Sequence, residues 1–351
     1  DGSAFVYRGF YANQSMQRSD GFPTSALFIV ARILMRILRE EQPKHFAFVL
    51  DGHGPNFRHE LFPLYKAQRS ATPEDLIKQI DPIHRLIKAL GLHLEVSDSC
   101  EADDCLASLA KRYREERPVI LVATDKDLKQ CLHDNVMMWD PASRDEKIVT
   151  LKSFEEETGL KPTQWPDVQA IIGDSSDNIP GVAGVGEKTA LALVQKFGSL
   201  QGVYEHLDDK AIKPKQREHL LECREMAELS HTLGTIRTDA PIDTAEGSYK
   251  VGEGRKAEAV RLLQELEIHS LIPRFGLAGV VPAAPEGEDG IELAQAELEA
   301  LPLAPSGTYL VASRPAVMGK QGTRNVVLQP ESWYAVQDCT VYPLEDADLV
   351  R

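Results

Sequence analysis

Apolar residues recur at helical spacing over residues 24–41, where Leu27, Val30, Ala31, Leu34, Ile37 and Leu38 would share one face. A short apolar run follows at 46–50 and closes on Asp51, the pattern of a buried strand ending in an acid. Residues 52–71 are basic and turn-rich, and the spacing then predicts a helix over 73–90 with Pro73 at a favoured first position. Residues 92–96 predict a strand, 101–116 an amphipathic helix and 118–123 a strand buried on both faces. Two more strands are expected at 135–139 and 147–150. This alternation predicts an α/β domain over 1–150, its mostly parallel sheet flanked by helices. Residues 151–275 read as a helical module and 276–290 as a linker rich in Gly, Pro, Ala and Glu. The tail, 291–351, predicts a helix at 291–301 and strands near 309–312, 325–328 and 333–336, the start of a partial second α/β domain. Asp1-Gly2-Ser3 reads like the turn after a strand, so upstream residues are expected.

Composition narrows the class. The 351 residues are 42% hydrophobic and 26% charged, as in globular proteins, with a net charge of −15. That charge argues against a protein that coats nucleic acid broadly, yet an acidic centre can coexist with a local basic groove. Five cysteines without a C-x-x-C pair argue against a disulfide framework or a zinc site and for a reducing compartment. No apolar run reaches membrane-spanning length, so a cytoplasmic location is expected.

The acids carry the chemistry. Asp51, Glu101-Ala102-Asp103-Asp104, Asp125-Lys126-Asp127 and Gly173-Asp174-Ser175-Ser176-Asp177-Asn178 each stand where a strand or helix ends, and Asp1 opens the chain. In an open parallel sheet such ends converge on one edge. Carboxylates gathered there would repel unless cations neutralised them, and hard oxygen donors suit Mg²⁺, which usually works on phosphates. Each cluster also has an ordinary explanation. Acids in a helix's first turn gain roughly 0.3–1 kcal/mol from its dipole, and Asp125 can be a plain N-cap. At i,i+3 spacing Glu101 and Asp104 would share a face, with Asp103 as a bridge between two cations.

The acidic turn at 173–178 runs into Gly181-Val182-Ala183-Gly184-Val185-Gly186-Glu187-Lys188-Thr189. Glycines admit a phosphate to the backbone, a helix opening near Glu187 offers free N–H groups, and Lys188 adds charge. This is a hairpin able to hold a duplex without reading bases. A nucleotide-binding P-loop is excluded by spacing. The basic stretch 56–69 gathers Arg58, Lys66 and Arg69 with Tyr65 as a stacking surface, and Arg8 is a further cation.

Taken together these motifs resemble the 5′-nuclease (flap endonuclease) family, as found at the N-terminal end of bacterial replication and repair polymerases. The resemblance covers about residues 1–275. It implies a PIN-like core, a helix-three-turn-helix DNA-binding module over 151–275, and a partial, inactive 3′-5′-exonuclease-like tail at 291–351. It implies that Asp1, Asp51, Glu101, Asp103, Asp104, Asp125, Asp127, Asp174 and Asp177 hold two Mg²⁺ ions, replaceable by Mn²⁺. Lys66, Arg69 and Arg8 would be catalytic cations at an arch passed by the free 5′ end. Tyr65, Arg58, Gly181, Gly184, Gly186, Lys188 and Thr189 would contact DNA, with K⁺ at Gly181–Gly186. Expected partners are DNA with a 5′ flap, nick or free 5′ end and RNA-primed DNA, bound by a monomer at the nucleoid.

Three features depart from the family: Thr124 precedes the Asp-Lys-Asp run, Ala183 replaces a common proline, and the strand before Asp1 is absent. The residues around 309–313 lack an Asp-x-Glu motif, so proofreading is not expected. A catalytically silent DNA-binding module is the main rival. A stand-alone PIN-type ribonuclease would not need the helical module, and a phosphatase-like enzyme lacks its nucleophile motif.

Overall fold

The computed structural model describes residues 1–282 apart from His53, Asp98 and 144–146, and beyond them only short strand segments of the tail. Residues Asp1–Ala283 form one compact unit and Ala284–Arg351 a second. No helix among the described residues is long and apolar enough to cross a membrane.

The chain begins in a helix, α1 (Gly2–Ala12), where a turn was expected. Asp1 makes this possible: its carboxylate caps the helix by accepting from the Ala4 amide at 3.0 Å. Helix α2 (Ser25–Glu40) has no cap from its own Thr24. Gln79, fully buried on α4 (Glu74–Ala89), supplies one, its Oε1 accepting from Ala26 at 2.8 Å. Between these helices lie β1 (Ala47–Asp51) and the short α3 (Phe57–Leu61). Next come β2 (His93–Ser97), α5 (Ala102–Tyr113), β3 (Val119–Val122), β4 (Val136–Asp140) and β5 (Lys147–Val149). A 3-10 turn, Lys126–Cys131, links β3 to β4.

The strands pair parallel, β1 with β2 and β3 with β4, while β5 adds antiparallel to β4. They form two sheets, because β1 and β3 are not hydrogen-bonded to each other. β3 is also less enclosed than its apolar run predicts; of its four residues only Leu121 is fully buried.

The helical region comprises α6 (Leu151–Thr158), α7 (Trp165–Ile172), α8 (Glu187–Phe197), α9 (Leu200–Glu205), α10 (Pro214–Glu222), α11 (Arg224–Gly234) and α12 (Lys256–Glu265). It does not stand apart from the sheets. Val168 and Ile171 of α7 and Leu193 of α8 share one core with Leu106 of α5 and Leu121 of β3. Helix α12 instead lays Ala259, Leu262 and Leu263 against Ile83, Leu86 and Ile87 of α4 in a second core. Full burial of a Leu or Ile side chain stabilises by roughly 1.5–3 kcal/mol, so α12 is tied firmly to the α/β half.

In the second unit the described strands are β6 (Ala294–Gln295), β7 (Tyr309–Ser313), β8 (Lys320–Gln321), β9 (Arg324–Asn325), β10 (Ser332–Gln337) and β11 (Thr340–Leu344). Four of them run in the order β6-β11-β10-β7. The helix expected over 291–301 is corrected at Ala294–Gln295, which pair in parallel with Thr340 and Val341. The remainder of that stretch, and residues 326–328, lie outside the described residues.

Candidate active site

Five separate segments bring their acids to one place at the carboxyl ends of β1 and β3. Asp51 closes β1, and its Oδ1 accepts from the Ala102 amide at the start of α5 at 2.9 Å. Asp103 sits one residue further along that helix. The charges of Asp125, Asp51, Asp127 and Glu101 all bear on it, and after burial they are what push its carboxyl well above the usual range. Burial and the neighbouring Asp125 likewise raise Asp127 to about 7, against a hydrogen bond from Gln169 that pulls it down. Asp1 lies at the same edge: its nitrogen donates to the Val122 carbonyl at 2.8 Å, within the field of Asp103 and Asp51.

Cations hold the outer acids. Glu101 Oε1 takes Lys66 Nζ at 2.5 Å, and Tyr65 donates its hydroxyl to Glu101 at 2.9 Å and to Asp177 at 3.1 Å. Burial works against ionised Glu101, but Lys66 and Arg58 outweigh it and hold its pKa below the usual value. Arg69 also pairs with Asp177. Asp174 accepts from the Ser176 amide at 2.7 Å and from Lys126 at 3.0 Å, and these contacts overcome burial to depress its pKa. Lys66 has φ +56°, a left-handed conformation that costs a non-glycine residue energy and turns up at functional sites.

The sequence expectations for Asp104, Arg58 and Tyr65 are corrected here. Asp104 is fully buried and not available as a ligand. Its Oδ1 takes Arg58 Nη2 and the Arg237 amide, both at 2.8 Å, while Oδ2 takes Arg58 Nη1 at 2.7 Å and the Glu101 amide at 3.2 Å. Arg58 is therefore no DNA contact; it is 3% exposed and locked to Asp104 and the Leu233 carbonyl. Tyr65, also 3% exposed, has no free face for a base and instead orients two carboxylates. Arg8 joins neither Glu101 nor Asp177 but forks onto Asp140 at 3.0 and 3.1 Å.

The donor set fits a hard divalent cation in its chemistry: carboxylate oxygens whose mutual repulsion a cation would relieve. It is not a closed ligand cage, since among the described residues no three acids, histidines or cysteines are gathered tightly enough to hold one ion. With metal chelated, the proton affinity of Asp127 shows in stability. Its folded pKa lies above its unfolded one, so its contribution is greatest at low pH and is lost as pH rises through about 7. The thermal midpoint of the metal-free chain should fall between about pH 4 and 7. Asp127→Asn should flatten that fall, and an unchanged slope would contradict the assignment.

The glycine hairpin follows α7. Val182 and Val185 are buried anchors, and Ala183, Gly184, Gly186 and Lys188 are exposed on the rim, with Thr189 half-buried. Helix α8 starts at Gly186 without a side-chain cap, which leaves its first amides facing outward. Gly181 has no room for a side chain: a Cβ there would lie 2.4 Å from the Ile172 carbonyl carbon. Gly186 has none of this crowding. Gly181→Ala should therefore disrupt the hairpin and lower the thermal midpoint, while Gly186→Ala should leave the midpoint unchanged. Equal losses in thermal unfolding would show that backbone crowding is not what shapes this turn.

Comparison with known proteins now bears on this geometry. Residues 1–159 match the family described as "5'-3' exonuclease, N-terminal resolvase-like domain", and residues 160–257 match "5'-3' exonuclease, C-terminal SAM fold". The chain belongs to the 5′-3′ exonuclease family. With it comes the nuclease class, hydrolysing phosphodiester bonds, and the PIN-like core with its helical partner. The 5'-3' exonuclease of Aquifex aeolicus is 33% identical over 273 residues, covering 78% of this chain and 92% of that protein. The thermostable DNA polymerase I of Thermus thermophilus is 39% identical over 290 residues, covering 82% of this chain but 34% of the polymerase. The chain thus spans about a third of the polymerases it matches. Two solved structures share the fold. T5 5'-exonuclease with bound zinc has a TM-score of 0.55 at 20% identity, covering 79% of this chain and 97% of its own. The catalytic core of Rad2 with DNA substrate has 0.57 at 15%, covering 78% and 91%.

Two polar residues at the acidic edge were not singled out by sequence reasoning. Lys126, between Asp125 and Asp127, reaches Asp174 and so neutralises a different segment from its own. Gln169, 7% exposed on the otherwise apolar face of α7, donates to Asp127 while its Oε1 is buried without a partner. A lone amide inside an apolar helical run was the signal that could have found it.

Proposed function

We propose that this chain is a divalent-metal-dependent nuclease that cuts DNA near a free 5′ end, at 5′ flaps and nicks. The observation that carries this reading is the placement of Asp103 among Asp51, Glu101, Asp125 and Asp127, with Lys66 held on Glu101 and Arg69 on Asp177. Asp1, Asp51, Glu101, Asp103, Asp125, Asp127, Asp174 and Asp177 would hold Mg²⁺ or Mn²⁺. Such ions, when bound, supply Lewis acidity and a water of lowered pKa for attack on a phosphodiester. The protein's own part is electrostatic. Lys66 and Arg69 now pair with Glu101 and Asp177, and they would transfer that charge to the scissile phosphate. Tyr65 keeps Glu101 and Asp177 in place while this happens. The rim of the hairpin, with Gly184, Gly186, Lys188 and Thr189, would grip the duplex by its phosphates, so affinity should fall steeply with salt. K⁺ at the carbonyls of Gly181–Gly186, tolerance of RNA-primed DNA, monomeric action and a nucleoid location belong to the same proposal. The T5 flap endonuclease complexed with DNA and metal ions and the Rad2 catalytic core complexed with DNA substrate, which share this fold, support it.

A second reading, a silent module that binds DNA junctions, is favoured by the open arrangement of the acids. A 5′-labelled flap, a 3′ flap and a plain single strand, each offered with Mg²⁺, separate the two. Cutting concentrated at the 5′ flap junction supports the nuclease, whereas binding without cutting supports the module. Lys66→Ala should lower turnover about 10²-fold with little change in flap affinity. A matched loss in both would make Lys66 a binding residue only.

A further inference from the structure

Gln169 sits on a helix that has no wet side. Every residue of α7 from Trp165 to Ile171 is buried, and the helix packs against α11, α8 and the 126–131 turn. Two of these buried residues carry an acid or amide side chain, Asp167 and Gln169. Asp167 is accounted for: it accepts from the Leu200 amide at 2.9 Å where α9 begins. Gln169 is only half accounted for. Its Nε2 donates to Asp127 Oδ1, while its Oε1 is buried without a partner. An ionised carboxylate can only accept, so the amide must turn its nitrogen to Asp127 and leave its oxygen over. An unpaired buried oxygen costs stability, and such groups are rare enough to call for a reason.

The contact with Asp127 ties two acid segments together. Asp127 lies on the 126–131 turn that follows β3, and Asp174 lies just beyond the end of α7. The Gln169 carbonyl accepts from the Gly173 amide at 2.7 Å, so one residue holds Asp127 by its side chain and the turn into Asp174 by its backbone. Lys126 spans the same gap with a half-exposed side chain, reaching Asp174 at 3.0 Å. The two links differ in charge. Lys126 neutralises the acid it touches and so competes with any cation for it. Gln169 is neutral: it fixes the direction of the Asp127 carboxylate and leaves its charge whole, as the hydrogen-bonded supports of metal ligands do. Among the described residues, the acids around it are too open to enclose a bare ion. A cation held there keeps part of its water, as Mg²⁺ commonly does, and that water needs acceptors. The spare oxygen of Gln169, on the same planar amide as the nitrogen at Asp127, is one.

We propose that Gln169 is a positioning residue for a hydrated divalent cation carried by the 125–127 and 174–177 segments. Its Nε2 aims Asp127 at the ion, and its Oε1 accepts from the ion's hydration shell. This rests on the reading of the acids as a cation centre and deepens it. It also explains why an amide stands where the surrounding packing calls for an apolar side chain. Trp165 offers the competing account of the oxygen: it lies one turn earlier on α7, at i,i+4 spacing, and its Nε1 is likewise buried without a partner.

The test is Gln169→Met in the full chain, which keeps the length of the side chain and its helix preference while removing donor and acceptor. Mn²⁺ is titrated into the DNA-free protein and followed by the free-ion signal in electron paramagnetic resonance. Its affinity should weaken about tenfold or more, the scale of loss when the support of a metal ligand is removed. In chelator the thermal midpoint of Gln169→Met should equal or exceed the parent's, because an unpaired buried oxygen is gone and half-buried Asp127 can take water instead. Unchanged Mn²⁺ affinity overturns the proposal. So does a midpoint that falls as far in chelator as in saturating Mn²⁺, the mark of a plain structural strut. Trp165→Phe should leave the affinity unchanged; a loss matching that of Gln169→Met would assign the oxygen to the indole and overturn the proposal as well. Should Gln169→Met fail to fold, Gln169→Ala, too small to clash, gives the same readings. A parent chain that binds no Mn²⁺ sinks the cation centre together with this inference, whereas a parent that binds it no more tightly than the variant sinks the inference alone.

Discussion

Asp103→Asn is expected to lose about 10³-fold or more in flap cleavage, the several kcal/mol that metal-centred charge stabilisation supplies to a transition state. The same change should leave the fold intact. Asp103 sits in the field of Asp51, Glu101, Asp125 and Asp127, and removing its charge relieves repulsion in the metal-free chain. In chelator near neutral pH, the thermal midpoint of Asp103→Asn should equal or exceed that of the parent. That pairing of lost turnover with kept stability is what separates a functional acid from a structural one. Turnover within tenfold of the parent would remove Asp103 from the centre.

Asp104→Ala should fail in the opposite way. It strips the closer, two-pronged partner from Arg58, a guanidinium 3% exposed that keeps only Glu101 at 3.4 Å, and breaking a buried pair in this way costs up to about 3–5 kcal/mol. Denaturant unfolding should show the loss whether or not metal is present. Replacing both residues together, Arg58→Met with Asp104→Leu, should recover most of the stability, because no charge is then left buried alone. A mild effect of Asp104→Ala, below about 1 kcal/mol, would mean that water reaches Arg58 and that the pair is not the anchor described here.

These two neighbours show where the sequence was legible and where it was not. Apolar periodicity placed α2, β1, α4, β2, β3 and β4 to within a residue at each end, and α5 with an end three residues too late, since each buries a face whose spacing is local. The convergence of Asp51, Asp103 and Asp125 followed from strand ends meeting at one edge. Asp104 looked equivalent to Glu101 at i,i+3, yet its partner comes from 46 residues earlier and nothing local signals that. Tyr65 likewise read as a stacking surface until Ile179 and Leu233 closed over its ring. Helix α1 was missed because Asp1, read as the end of a turn, serves as a helix cap. At β6 two residues follow their parallel pairing with β11, a tertiary contact that overrides a helical pattern.

The central claim is that the acids at the ends of β1, β3 and α7 form one cation-dependent cutting centre. Its most direct test is cleavage of a 5′-labelled flap as Mg²⁺ is titrated into chelator-stripped protein. The account predicts no product in chelator, recovery with Mg²⁺ in a dependence steeper than first order, and no recovery for Asp103→Asn at any concentration. Product formed in chelator at the rate seen with Mg²⁺ would contradict it.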